Sequence, residues 1–247
     1  MKRLLLNLQF YPLFFLFSAV GIPLLTLFVA LLALFVPHRT AMRRFRRAIS
    51  WYGWVIIRIL LYPWVRVRYE NRDPDAGPGP FLFVCNHRST SDPFLMAVLP
   101  HEVIQVVNVW PFRLPVLGFF ARCAGYLSVR QMPPEEFIAR AARYVAQGVS
   151  IAAFPEGTRS GSRVMGPFHS AVFRLALRTG VPIVPLCISG NERIPPRGSG
   201  WLSPGIIRVR RLAAIRAEAY ADLNPFQLKN RVRTMIAEEV DRMETGS

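Results

Sequence analysis

The sequence predicts an α/β protein in which a central, mostly parallel or mixed sheet is covered by helices, preceded by an N-terminal two-helix module that anchors it to a membrane. Three observations carry this expectation. Beyond Pro80, short apolar runs alternate with helical segments, as they do when helices pack on a sheet. Gly148 and Gly180 stand where helix C-termini belong. From Leu4 to Val36 there is no charged residue, and a bilayer-spanning helix needs only about 20 apolar residues.

Taken in order, the apolar N-terminal segment is too long for a secretory signal. It also runs into RTAMRRFRR rather than a small-residue cleavage site. Pro12 and Pro23 each remove a helix hydrogen bond, so a spanning helix and a bent, re-entrant one both remain open. A second helix is expected from Met42 to Trp64. Arg43, Arg47, Ser50, Trp54 and Arg58 form one stripe, with Phe45, Ile49, Tyr52, Ile56 and Ile59 opposite. It suits the membrane interface, or alternatively packing on the globular part. NRDPDAGPGP (71–80) reads as the loop leaving this module, dividing residues 1–70 from an α/β domain at 71–247. Strands are expected at 81–86, 103–107, 150–154, 181–188 and 206–211, and helices at 93–99, 135–147, 170–179 and 226–243.

The chain has 247 residues, a net charge of +16, a hydrophobic fraction of 52% and a mean hydropathy of +0.26. That composition excludes a disordered chain. Three cysteines without paired spacing exclude a disulfide scaffold, and no C-x-x-C supports a zinc site. Residues 1–70 contribute +9 of the charge, flanking the most apolar segment, where it meets anionic headgroups rather than nucleic acid.

Two polar loops follow apolar strands. In NHRSTSDPF (86–94), His87 and Asp92 are five residues apart. On a straight helix that spacing turns through about 500°, but in a turn entering a helix the two can meet. Asp92 then stands at the N-cap with Pro93 at the first helical position, and fixes the tautomer of His87, freeing its other nitrogen as a general base. In FPEGTRS (154–160), Pro155 and Gly157 suit a tight turn with exposed N–H groups, and Arg159 offers a planar fork to a phosphate. Each loop alone has a structural reading as a strand end or a solvated turn; together they are more informative. Cys85, inside an apolar strand, reads as a core residue rather than a nucleophile. His169 reads as partly exposed polar surface at a helix start.

NHRSTSD followed by FPEGTRS resembles the glycerolipid acyltransferase family. WPFRLPVLGFFARCAGYLSVR (110–130) is similar to that family's second block, with Pro115, Gly118, Gly125 and Arg130 in the expected places. VPIVPLCISG (181–190) is similar to its fourth. The resemblance implies acyl transfer from a thioester, acyl-CoA or acyl carrier protein, to the hydroxyl of 1-acyl-glycerol-3-phosphate, giving phosphatidic acid. Another lysophospholipid acceptor is the alternative, and a non-catalytic basic membrane adaptor is a remote one. It also implies that His87 is the base, Asp92 its orienting partner and Arg159 the phosphate ligand. Glu156, Gly157 and Thr158 would shape that loop, and Pro185 would lie on the acyl side. Neither a metal nor a cofactor is implied. Two places depart from the family's pattern. Asn108, Val109 and Trp110 replace an expected lysine, leaving Arg113 as the nearest cation. PFHSAVF, with His169 and Ala171, replaces a lysine–glycine pair. No G-x-S-x-G supports a hydrolase. The expected location is the cell's inner or plasma membrane. The arginines at 39–47 hold the catalytic domain on the cytoplasmic side by the positive-inside rule.

Overall fold

Along residues 81–85, Phe81, Phe83 and Cys85 enter one apolar cluster while Leu82 and Val84 enter another, all fully or nearly fully buried. A strand buried on both faces needs no polar alternation, which is why FLFVC is continuously apolar. In the computed structural model, which describes residues 1–246, this strand is β2 (Leu82–Cys85) of a six-stranded sheet. The others are β1 (Val65–Asn71), β3 (Val103–Val106), β4 (Ser150–Ala153), β5 (Ile183–Ser189) and β6 (Gly205–Arg211), in the order β1-β6-β5-β2-β4-β3. All neighbours are parallel except β5 and β6. The sheet is therefore mixed, as expected. The five anticipated strands are present within two residues, and β1 is an addition.

One face is covered by α1 (Lys2–Ala33), α2 (His38–Val55), a π-helical turn (Ile56–Leu60) and the short α3 (Asp92–Leu95). The π turn, not a continuous helix to Trp64, ends the second helical segment. α2 packs on the α/β part of the chain: a Cβ at Gly53 would lie 3.1 Å from the Ala97 methyl. Its Trp51 and Trp54 remain exposed. α1 holds Pro12 and Pro23 without interruption and is long and apolar enough to cross a membrane. It exposes Phe15, Leu16, Leu24, Leu27 and Phe28, yet buries Leu6 and Phe10 in the sheet's core cluster. Asn7 donates to Leu202 O (2.9 Å) and accepts from Leu202 N (2.9 Å), fastening the helix to the loop before β6.

The other face carries α6 (Pro134–Ala146), α7 (Ala171–Thr179) and α8 (Pro225–Thr245). α7 buries Val172, Phe173, Leu175 and Ala176 and stops at Gly180, whose φ of 66° is left-handed and favours glycine. α8 starts with a capping box, Asn224 and Gln227 each satisfying the other's backbone N–H, with Pro225 in the first turn. Between β3 and α6 lie two short helices that the sequence reading leaves unassigned, α4 (Val109–Arg113) and α5 (Pro115–Cys123).

Candidate active site

β2 and β4 are parallel neighbours, with Val84 opposite Ala153. The loops leaving their C-terminal ends therefore emerge side by side, at the edge where open α/β sheets hold ligands. This brings His87 and the 154–160 turn together. Asn86 fixes the departure point, donating to Ile188 O (2.9 Å) and accepting from Ile188 N (2.8 Å) on β5.

His87 Nδ1 lies 2.7 Å from Asp92 Oδ2. The carboxylate is fully buried and also accepts from the backbone N–H groups of Arg88 (2.7 Å) and Ser89 (2.9 Å), and from the Asn191 amide. Asp92 is the first residue of α3 and does not cap it; the preceding residue is Ser91, which makes no capping bond either. The expected N-cap role is corrected for a physical reason: the carboxylate turns back onto the N–H groups of its own loop. Nε2 of His87 has no partner among the described residues and faces the cavity, with the ring 4.7 Å from that of Phe154. The geometry leaves one nitrogen oriented and the other free to accept a proton.

Glu156 joins the two motifs. Its Oε1 accepts the His87 backbone N–H (2.6 Å) and its Oε2 that of Gly166 (2.9 Å). Burial pushes its carboxyl above the usual range, against the lowering effect of those two N–H groups. Gly157 has a φ of 70°, and the His169 ring closes over it, 3.2 Å from where a Cβ would stand. Its N–H bonds Phe154 O (3.0 Å), and its carbonyl accepts from Asn108 Nδ2 (3.1 Å). The N–H groups of Thr158 and Arg159 make no hydrogen bond among the described residues.

These loops open into a cavity of about 1590 Å³, larger than the roughly 300–1,000 Å³ of small-ligand pockets. One end is apolar and is walled by Phe14, Phe15, Ile22 and Leu25 of α1 together with Phe120 and Ile138. At the polar end His87, Thr158 and Arg159 are joined by Arg130, Arg174 and Arg197. No carboxylate side chain lines the wall, and none of these four arginines has an ion-pair partner among the described residues.

Of the residues singled out from the sequence, the cavity wall contains His87, Gly157, Thr158, Arg159 and Arg130; Asp92 and Glu156 stand directly behind it. Arg113 is exposed on α4 outside the wall, and Pro185 is buried within β5 opposite Val84, also outside it. His169 is exposed, as expected, but it lines the cavity. Cys85 is a fully buried core residue whose thiol burial pushes well up. Asn191, Arg174 and Arg197 are additions that carry no motif. Their signal was only position, since Asn191 follows β5 and Arg197 lies in the next loop. Arg88 is a further addition. It is 2% exposed, bonds Glu244 of α8 and Arg163 O (2.9 Å), and lies 3.7 Å from Glu192.

A histidine oriented by a buried aspartate, beside an arginine-bearing turn and an apolar cavity, is the layout of an enzyme site with a poised general base. The acyltransferase family pattern matches residues 66–189, half of the chain, and the protein belongs to that family. Among curated relatives, a chloroplastic 1-acyl-sn-glycerol-3-phosphate acyltransferase of Arabidopsis thaliana is 30% identical over 213 residues, covering 84% of this chain and 57% of its own. A chloroplastic 1-acyl-sn-glycerol-3-phosphate acyltransferase of Brassica napus is 31% identical over 156 residues, 61% of this chain and 45% of its own. The chain thus spans about half the length of these relatives. Its fold matches the crystal structure of the 1-acyl-sn-glycerophosphate acyltransferase PlsC from Thermotoga maritima with a TM-score of 0.80 at 21% identity, over 99% of this chain and 98% of that one.

Proposed function

We propose that this protein acylates the free hydroxyl of 1-acyl-glycerol-3-phosphate from an acyl thioester, acyl-CoA or acyl carrier protein, giving phosphatidic acid. The single observation that supports it best is the cavity itself, with an oriented histidine at the meeting point of an apolar trough and a carboxylate-free arginine rim. The acceptor's phosphate lies against Arg159, whose planar fork suits it. His87 Nε2 takes the hydroxyl proton as the oxygen attacks the thioester carbonyl. Asp92 holds the imidazolium that forms. The free N–H groups of the 158–159 turn are donors available to the developing oxyanion. Collapse expels the thiolate, which receives the proton from His87. The reading requires neither a metal nor a covalent enzyme intermediate.

The exposed apolar face of α1 holds the protein to the inner or plasma membrane, and the arginines at 39–47 keep the catalytic domain on the cytoplasmic side. Membrane phospholipids are then its surroundings, and the acceptor enters from them along α1. A different lysophospholipid is the second reading. It is favoured by Asn108 and His169, which stand where lysines were expected; Asn108 is occupied with Val109 N and the Gly157 carbonyl. The test is mass spectrometry of products after incubating the purified protein with a panel of lysolipids and both thioester donors. Phosphatidic acid as the main product, lost in His87→Ala, is expected. Preferential acylation of another lysolipid selects the second reading. Persistence of more than about a tenth of the rate in His87→Ala overturns the base assignment.

A further inference from the structure

A second cleft, of about 1220 Å³, lies beyond Tyr126, which lines both it and the catalytic cavity. It is formed by the N-terminal half of α2, the end of α5 and the outer side of α6. Six arginines line it against two glutamates. Glu136 is taken by Arg140 (2.6 Å), and Glu102 by Arg46 (2.7 Å) with Arg43 at 3.6 Å. Arg39 and Arg122 hold only carbonyls, Gln147 O (2.7 Å) and Phe112 O (2.9 Å). Arg143 has no partner among the described residues. Three guanidinium charges are therefore uncompensated by any carboxylate, although Arg39 and Arg143 stand near the C-terminal end of α6.

One further group points to a ligand. Ser128 also lines this cleft, is 1% exposed, and its hydroxyl has no hydrogen-bond partner among the described residues. A buried hydroxyl without a partner is costly, and an oxyanion in the cleft would satisfy it. The large exposed apolar residues are on α1 and the segment after it to Phe35, at Trp51, Trp54, Ile59 and Tyr62, on α4 and α5 from Trp110 to Phe119, and at Val164, Trp201 and Phe226, and none of them lines this cleft. The outer surface of α6, by contrast, presents Arg140, Arg143 and Gln147. A water-soluble polyanion fits this cleft better than a lipid with its chains in the bilayer.

We propose that this cleft binds the phosphate groups of a nucleotide-bearing thioester donor, outside the cavity where the acyl chain reacts. The inference rests on the acyltransferase reading for its choice of ligand. The donor's phosphates dock on Arg122, Arg143 and Ser128, and its flexible arm passes Tyr126 to bring the thioester to His87.

The test separates this from the catalytic reading by measuring binding without turnover. Adenosine 3′,5′-bisphosphate, a fragment with no acyl group, is titrated calorimetrically into the full-length protein and into Arg143→Ala, Ser128→Ala and His87→Ala. Loss of a charge-assisted phosphate contact is worth about tenfold. The dissociation constant should rise about tenfold in Arg143→Ala and severalfold in Ser128→Ala, and stay unchanged in His87→Ala. In parallel, Arg143→Ala should raise the KM for acyl-CoA and leave that for the acceptor lipid unaltered. Bisphosphate binding indifferent to Arg143 and Ser128 overturns the proposal while leaving acyl transfer standing. So does a cleft that captures phosphatidylglycerol vesicles but not the nucleotide. Cleft-dependent binding in a protein that acylates no lipid overturns the catalytic reading instead.

Discussion

Replacing Asp92 by Asn and by Ala should give two very different proteins. The carboxylate accepts from the backbone N–H groups of Arg88 and Ser89, from His87 and from Asn191. Asp92→Ala orphans three buried donors at about 1–3 kcal/mol each, so the fold loses about 3–9 kcal/mol, a large part of a typical domain's stability. In Asp92→Asn the amide oxygen takes the place of Oδ2 and keeps its three partners. The new NH₂ group then faces Asn191, whose own Oδ1 is buried without a partner, so a flip of that amide restores the pairing. The stability cost falls to about 1–2 kcal/mol, the difference between charge-assisted and neutral bonds. The catalytic cost remains. The tautomer of His87 is preserved, but the charge that holds its imidazolium is gone, and the rate should fall about 10²–10³-fold. Urea denaturation and initial acyl-transfer rates measure the two effects separately. Asp92→Asn within threefold of the parent rate would refute the role of the charge. Equal destabilisation by Asn and Ala would refute the amide-flip account.

Arg159→Ala should raise the acceptor KM about 10–100-fold with a smaller change in kcat, and Arg159→Lys should recover only part of it, because the bidentate fork is lost; steady-state kinetics on vesicle-presented acceptor checks both. The Glu156 carboxyl is raised by burial, so the stability that its protonated form contributes is present below the ordinary glutamate value of about 4.3 and is lost as pH rises through the raised folded value. Denaturation midpoints measured from that pH upward should fall in the parent and lose this slope in Glu156→Gln. Arg88→Met takes the buried guanidinium from Glu244 and Glu192, leaving each only the exposed Arg163 at 3.8 Å, and should cost about 3 kcal/mol in thermal or urea unfolding, whereas Glu244→Gln, which keeps a hydrogen-bond acceptor, should cost about 1 kcal/mol.

The strands at 82–85 and 150–153 were legible because burial on both faces leaves an uninterrupted apolar run, and the loops that follow them inherit a position beside the site. β1 escaped notice because its alternating VRVRYEN places Arg66 and an arginine at 68 on an edge strand, where charge looks like loop. α4 and α5 are short and each carries a proline; Pro115 occupies the first turn of α5, where its missing N–H is harmless. The spacing of His87 and Asp92 allowed the pair and the family resemblance pointed to it; neither could reveal that the aspartate also folds its own loop. Glu156, Asn191 and Arg88 work through partners 69, 99 and 156 residues away in sequence. Such contacts exist only once the sheet order is known.

The unpaired arginines around the cavity also bear on kinetics. At physiological ionic strength a charge is felt over about 8 Å, so Arg130, Arg174 and Arg197, all exposed, act on a headgroup only when it has already reached the mouth. Sorting by charge is then an event of arrival. On the proposed function, an anionic acceptor at the mouth is drawn inward and a zwitterionic one is not, and added salt should slow capture while leaving the rate of the chemical step untouched.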